Sequence, residues 1–163
     1  MSNEIKLVHI SDLHFSVNQH CQANYLAHSM PHLEDMTDKM NSFNFDRLII
    51  SGDISNQGDK DSLKLAHDWI FYEIPTADNS SVGLKLKPNQ VIPVPGNHDA
   101  RNNLKERSIW LRNLRQKSIG NYNDVFEHHS YDPDQNYCRY DWLDEGDWGI
   151  WIVSVDTLSL IHI

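Results

Sequence analysis

Three short clusters in the 163-residue chain carry side chains of the kinds that hold metal ions: Asp12-Leu13-His14, Gly52-Asp53 and Gly96-Asn97-His98-Asp99. A carboxylate and an imidazole two residues apart, as in Asp12 and His14, reach a single ion from an extended loop. The Asp53 carboxylate has one oxygen for each of two ions, and its shared charge offsets their mutual repulsion. Asn97 adds a neutral amide oxygen, which keeps a second site from being overloaded with negative charge. Two ions about 3.5–4 Å apart clamp a phosphoryl group, polarise it and activate a water between them. His98 suits proton transfer. Its imidazole donates to a leaving-group or phosphoryl oxygen, with Asp99 beside it as the orienting carboxylate. Glycines 52 and 96 permit the sharp turns that swing these side chains over a sheet. Mixed nitrogen and oxygen donors suit Mn, Fe, Zn or Ni, so two divalent ions are the expected cofactors.

The elements that must position these clusters alternate. Glu4–Ile10, Asp46–Ile50 and Gln90–Val94 are apolar runs of strand length. Helical spacing of Leu33, Met36 and Met40 predicts a helix from about Ser29, with Pro31 in its first turn. A second helix is predicted over Asp61–Ile74, and a basic amphipathic third over Asn102–Ser118. Pro75–Asn89 reads as a loop or excursion and Asn121–Asp134 as irregular. Tyr137–Trp142 and Trp148–Val155 read as a hairpin turning at Asp144-Glu145-Gly146-Asp147. The order strand, helix, strand, helix, strand makes an α/β chain with a largely parallel sheet. Ligands bind beyond the carboxyl ends of such strands, and the three clusters follow Ile10, Ile50 and Val94 directly.

These motifs, with the flanks Leu7-Val8-His9-Ile10-Ser11-Asp12-Leu13-His14-Phe15 and Leu48-Ile49-Ile50-Ser51-Gly52-Asp53, resemble the first three motifs of the calcineurin-like metallophosphoesterases. The resemblance covers about residues 4–157. It implies the N-terminal part of a four-layer α/β/β/α sandwich that hydrolyses phosphomonoesters or phosphodiesters with two metals. By position, Asp12 and His14 would bind the first metal, Asp53 would bridge, and Asn97 would bind the second. His98 would be the catalytic histidine, oriented by Asp99, and Arg101 is a candidate contact for a substrate phosphate. The loop Gly52-Asp53-Ile54-Ser55-Asn56-Gln57-Gly58 lacks the arginine of the protein-phosphatase branch and is most similar to the cyclic-nucleotide phosphodiesterase branch. The sequence departs from the family in lacking a His-His-Pro segment and a closing Gly-x-His-x-His. His128-His129 precedes the strand it should follow and reads as a solvated loop. Without those ligands a fragment of this kind is expected to be inactive. The alternatives to a phosphoesterase are a regulatory or sensor module of a longer multidomain protein, or a degenerate domain holding one metal without turnover.

Composition narrows the partners. Fourteen Lys+Arg against 23 Asp+Glu give a net charge of −9, which disfavours broad binding to nucleic acid or membrane surfaces. A phosphorylated small molecule or nucleotide remains compatible, because metal ions invert the local field. With Cys21 and Cys138 as its only cysteines, the chain reads as reduced and cytoplasmic. The oligomeric state is not written in the sequence. The last six residues, Leu158-Ser159-Leu160-Ile161-His162-Ile163, are also what a transposon end used in DNA sequencing would encode. The expected organisation is therefore a C-terminally truncated domain over 1–157 followed by a non-native tail over 158–163. His9 is expected to pack in its strand, and the tryptophans are expected in the core.

Overall fold

The computed structural model describes residues 4–17, 22–76, 78–96, 98–99, 119–131, 138–144 and 149–155. The basic helix expected over 102–118, the hairpin turn at 145–147 and the tail over 158–163 lie outside the described residues. Three parallel strands form the central sheet: β1 (Leu7–Ile10), β2 (Arg47–Ser51) and β5 (Val91–Val94), in the order β1-β2-β5. Register is fixed by pairing Ile10 with Ile50 and Ser51 with Val94. The expected α/β class with a parallel sheet is therefore present.

Strand periodicity puts Val8, Ile10, Leu48, Ile50 and Val91 on one face of the sheet. That face packs against α2 (Lys60–Phe71), which contributes Leu63, Ala66, Trp69 and Ile70, all fully buried. The opposite face is barer at β1, where Leu7 is 43% exposed. His9, expected to pack, is exposed there instead, with its Nε2 2.6 Å from the Ser51 hydroxyl.

Helix α1 runs from Gln22 to Ser42, so it starts seven residues before Ser29, and Pro31 lies in its interior. Proline removes one donor from the helical ladder. The helix is anchored on either side of it by the buried Met30 before and Thr37 and Met40 after. Thr37 ties α1 to α2, its Oγ1 accepting from the Trp69 indole N–H at 2.9 Å.

Helix α2 opens on Asp59, whose carboxylate accepts from the Ser62 N–H at 2.9 Å. It ends at Phe71 rather than Ile74, because Ile74 pairs with Val82 in the two-residue strands β3 (Ile74–Pro75) and β4 (Ser81–Val82). The segment read as a loop or excursion is thereby tied down. Its Leu84 and Leu86 N–H groups donate to the Trp69 and Ile70 carbonyls at the helix end. A short helix, α3 (Gly120–Val125), stands in the stretch read as irregular. Tyr122 on it donates its hydroxyl proton to the Pro93 carbonyl of β5.

His129, read as solvated, is buried, its ring parallel to Phe71 at 6.3 Å between centroids. The strands β6 (Cys138–Asp144) and β7 (Gly149–Val155) pair antiparallel as the expected hairpin. Trp69 is buried as expected, whereas the cross-strand pair Trp142 and Trp151 is 46% and 64% exposed. No helix among the described residues is long and apolar enough to cross a membrane.

Beyond the strand ends the backbone pairing continues. Gly52 N–H donates to the Val94 carbonyl at 2.8 Å, and the His14 and Phe15 N–H groups donate to the Asp53 and Ile54 carbonyls at 2.9 Å. The loops after β2 and β5 touch backbone to backbone at Gly52 and Gly96. A Cβ on Gly96 would strike the Asp53 amide nitrogen and Oδ1, and would lie 2.8 Å from the Gly52 Cα.

Gly96→Ala is accordingly expected to destabilise the fold by at least about 1–3 kcal/mol. Gly120→Ala, where nothing lies within 4 Å of the added atom, is expected to be neutral or stabilising by up to about 1 kcal/mol. Thr37→Val leaves the Trp69 indole N–H buried without its acceptor and should cost about 1–3 kcal/mol. Urea unfolding of the three variants checks all of these values.

Candidate metal centre

The loops leaving β1, β2 and β5 meet at one edge of the sheet. Asp53 follows Gly52, which has φ +86°, and is itself left-handed at φ +50°. Asp12 and His14 are also left-handed, at φ +57° and +49°. Only a few per cent of non-glycine residues adopt this region, with Asn, Asp and His several-fold enriched. Three such residues at one sheet edge mark local strain held by surrounding structure. The Asp53 and Ile54 carbonyls supply that hold to the first loop, and buried Phe15 and Ile54 anchor both loops to the core.

His14, Asp53 and His98 each bring one ligand atom into a group whose members lie within 4.8 Å of one another. The His14 and His98 rings stand edge to face, 4.9 Å between centroids. Asp12 stands beside this group, its Oδ1 4.0 Å from His14 Nε2, and its side chain is two-thirds exposed. Asn97 and Arg101 lie outside the described residues.

The donor set fits a divalent ion. His14 Nδ1 is buried with no hydrogen-bond partner among the described residues, an expensive arrangement for an imidazole nitrogen. Asp53 Oδ1 accepts the His98 backbone N–H at 2.9 Å, which fixes the carboxylate and leaves Oδ2 for coordination. Two imidazoles and a carboxylate are the donors that first-row transition metals prefer.

His98 Nδ1 lies 2.8 Å from the Asn56 carbonyl oxygen. A carbonyl only accepts, so the proton sits on Nδ1, and Nε2 is the nitrogen left for a ligand or a second proton. The residue orienting His98 is thus Asn56, through its main chain.

Asp99 does something other than orient that ring. Its side chain is fully buried, and its carboxylate accepts from the backbone N–H groups of Ile54, Ser55 and Gly96 at 2.9, 2.6 and 2.8 Å. Burial pushes its carboxyl above the ordinary aspartate range, with the backbone N–H groups of Gly96, Ser55 and Ile54 and the Ser55 side chain pulling the other way. Asn56 carries no signal in the sequence, because its contribution is a backbone oxygen. The left-handed turns were partly visible, since aspartate and histidine are among the few residues that tolerate them.

No curated protein matches the chain. The sequence model of the calcineurin-like phosphoesterases matches residues 5–161, which include all three clusters and the sheet that carries them. With strands, loops and donors arranged as described, the chain belongs to the calcineurin-like phosphoesterase family, whose members are metal-dependent phosphoester hydrolases.

Proposed function

We propose that the chain is a phosphoesterase domain built for two divalent ions. The observation that carries this reading is the convergence of His14, Asp53 and His98 at the carboxyl edge of a parallel sheet. In this proposal Asp12 and His14 would hold the first ion, Asp53 would serve both, and Asn97 would serve the second. The ions, when bound, would polarise a phosphoryl group and lower the pKa of a bound water.

The chain's own residues supply the rest. The Nδ1 proton of His98 is held by Asn56, so the ring can present a proton on Nε2 to the leaving-group oxygen. Arg101 is proposed to contact a non-bridging phosphate oxygen. The substrate class is a phosphorylated small molecule or nucleotide. The glycine-closed loop Gly52–Gly58, without an arginine, favours a diester.

A second reading rests on the same distances. His98 lies close enough to His14 and Asp53 to ligate one ion with them. In that case the domain holds a single metal and turns nothing over.

Metal counting separates the two readings. In a chain completed by the His-His-Pro and Gly-x-His-x-His motifs, two Mn²⁺ are expected in equilibrium dialysis, and a single ion supports the second reading. In that completed chain Asp53→Asn should lose both ions and the hydrolysis of bis(p-nitrophenyl) phosphate. His98→Gln should keep both ions while slowing hydrolysis about 10²–10⁴-fold, the usual contribution of a positioned acid. Loss of metal in His98→Gln makes His98 a ligand and sinks its assignment as the acid.

A further inference from the structure

We infer that Asp99 is the positioning residue of the metal centre, acting on the backbone of the Asp53 loop and not on the His98 ring. The inference rests on the proposal that His14, Asp53 and His98 form such a centre. Two aspartates join the loops after β2 and β5 in opposite directions. Asp53, in the first loop, accepts the backbone N–H of His98 in the second at 2.9 Å. Asp99, in the second, accepts the backbone N–H groups of Ile54 and Ser55 in the first at 2.9 and 2.6 Å. Each loop therefore holds the main chain of the other through its own carboxylate.

The third bond of Asp99, from the Gly96 N–H at 2.8 Å, closes the turn in which His98 sits. Asp53 lies between these fastenings. Its side chain is held by His98, its carbonyl by the His14 N–H, and the residues that follow it by Asp99. A left-handed aspartate persists only when its surroundings over-determine it, and this set of bonds does so. None of these bonds involves a metal. The clasp therefore sets the separation of Asp53 and His98 before any ion arrives, and part of the ordering that binding would otherwise require is already in the fold.

Asparagine cannot replace the carboxylate. The three backbone donors are divided between its two oxygens, Ser55 on Oδ1 and Ile54 and Gly96 on Oδ2. In either orientation an amide sets its own NH₂ against at least one backbone N–H.

The test uses the full chain and Mn²⁺ as probe. In the metal-free wild type, the Ile54, Ser55, Gly96 and His98 amides are expected to be protected in hydrogen exchange followed by NMR. Asp99→Asn is expected to bind Mn²⁺ about 10–100-fold more weakly with unchanged stoichiometry, as when a ligand's supporting partner is removed. Thr37→Val, which loosens the α1–α2 contact, is the control for general destabilisation and should keep wild-type Mn²⁺ affinity.

The inference is overturned if those amides exchange freely until Mn²⁺ is added. It is equally overturned if Asp99→Asn binds Mn²⁺ within twofold of Thr37→Val. Should Asp99→Asn fail to fold, the wild-type exchange pattern alone decides between these outcomes. Protected amides in a chain that takes up no Mn²⁺ support the clasp and refute the metal-centre proposal instead.

Discussion

The loops bearing Asp12, Asp53 and His98 leave a common edge because β2 is hydrogen-bonded in parallel to both β1 and β5. Parallel pairing fixes direction, and the register fixes height: Ile10 is level with Ile50, and Ser51 with Val94. A shift of one residue in either ladder would turn the core residues of that strand to the other face. It would also displace its ligand loop by about 3.3 Å, enough to take a donor out of coordinating range. The burial of Leu48, Ile50 and Val91 against α2 is therefore also what places the site.

Electrostatics at this edge are arranged around backbone dipoles. Two aspartates at this edge accept main-chain N–H groups, Asp53 one and Asp99 three. A buried carboxylate is tolerated where such donors replace its water. Asp53 is left with coordinating capacity, whereas Asp99 spends both oxygens on the scaffold. Two carboxylates of the same residue type thus serve different ends, and the difference lies in their burial and in which groups face them.

The sequence carried much of this. The three strands were legible from their apolar runs, and the position of the clusters after them located the site edge. Helix limits were less legible. Pro31 suggested a late start for α1, but tertiary anchoring at Met30, Thr37 and Met40 outweighed one missing donor. Ile74 looked like the last apolar position of α2 and proved to belong to a short antiparallel pair. The role of Asp99 was misread because proximity in sequence suggested a side-chain partner, while its backbone partners are main-chain amides, two of them some 45 positions away. Backbone acceptors such as Asn56 leave no trace in residue identity at all. The exposure of Trp142 and Trp151 could not be read from composition, which makes tryptophan a core residue by default.

The left-handed conformation at positions 12, 14 and 53 has a consequence for how such a sequence can drift. The residues that enter this region with least strain are glycine, asparagine, aspartate and histidine. Three of those four are also donors to transition metals. Folding and coordination therefore draw on nearly the same small alphabet at these positions. A chain that abandoned the chemistry would still be under pressure to keep aspartate, asparagine or histidine there, simply to make the turns. Residue identity at 12, 14 and 53 thus testifies first to backbone shape. What speaks for the ion is the meeting of two of these side chains with a third, His98, from a separate strand.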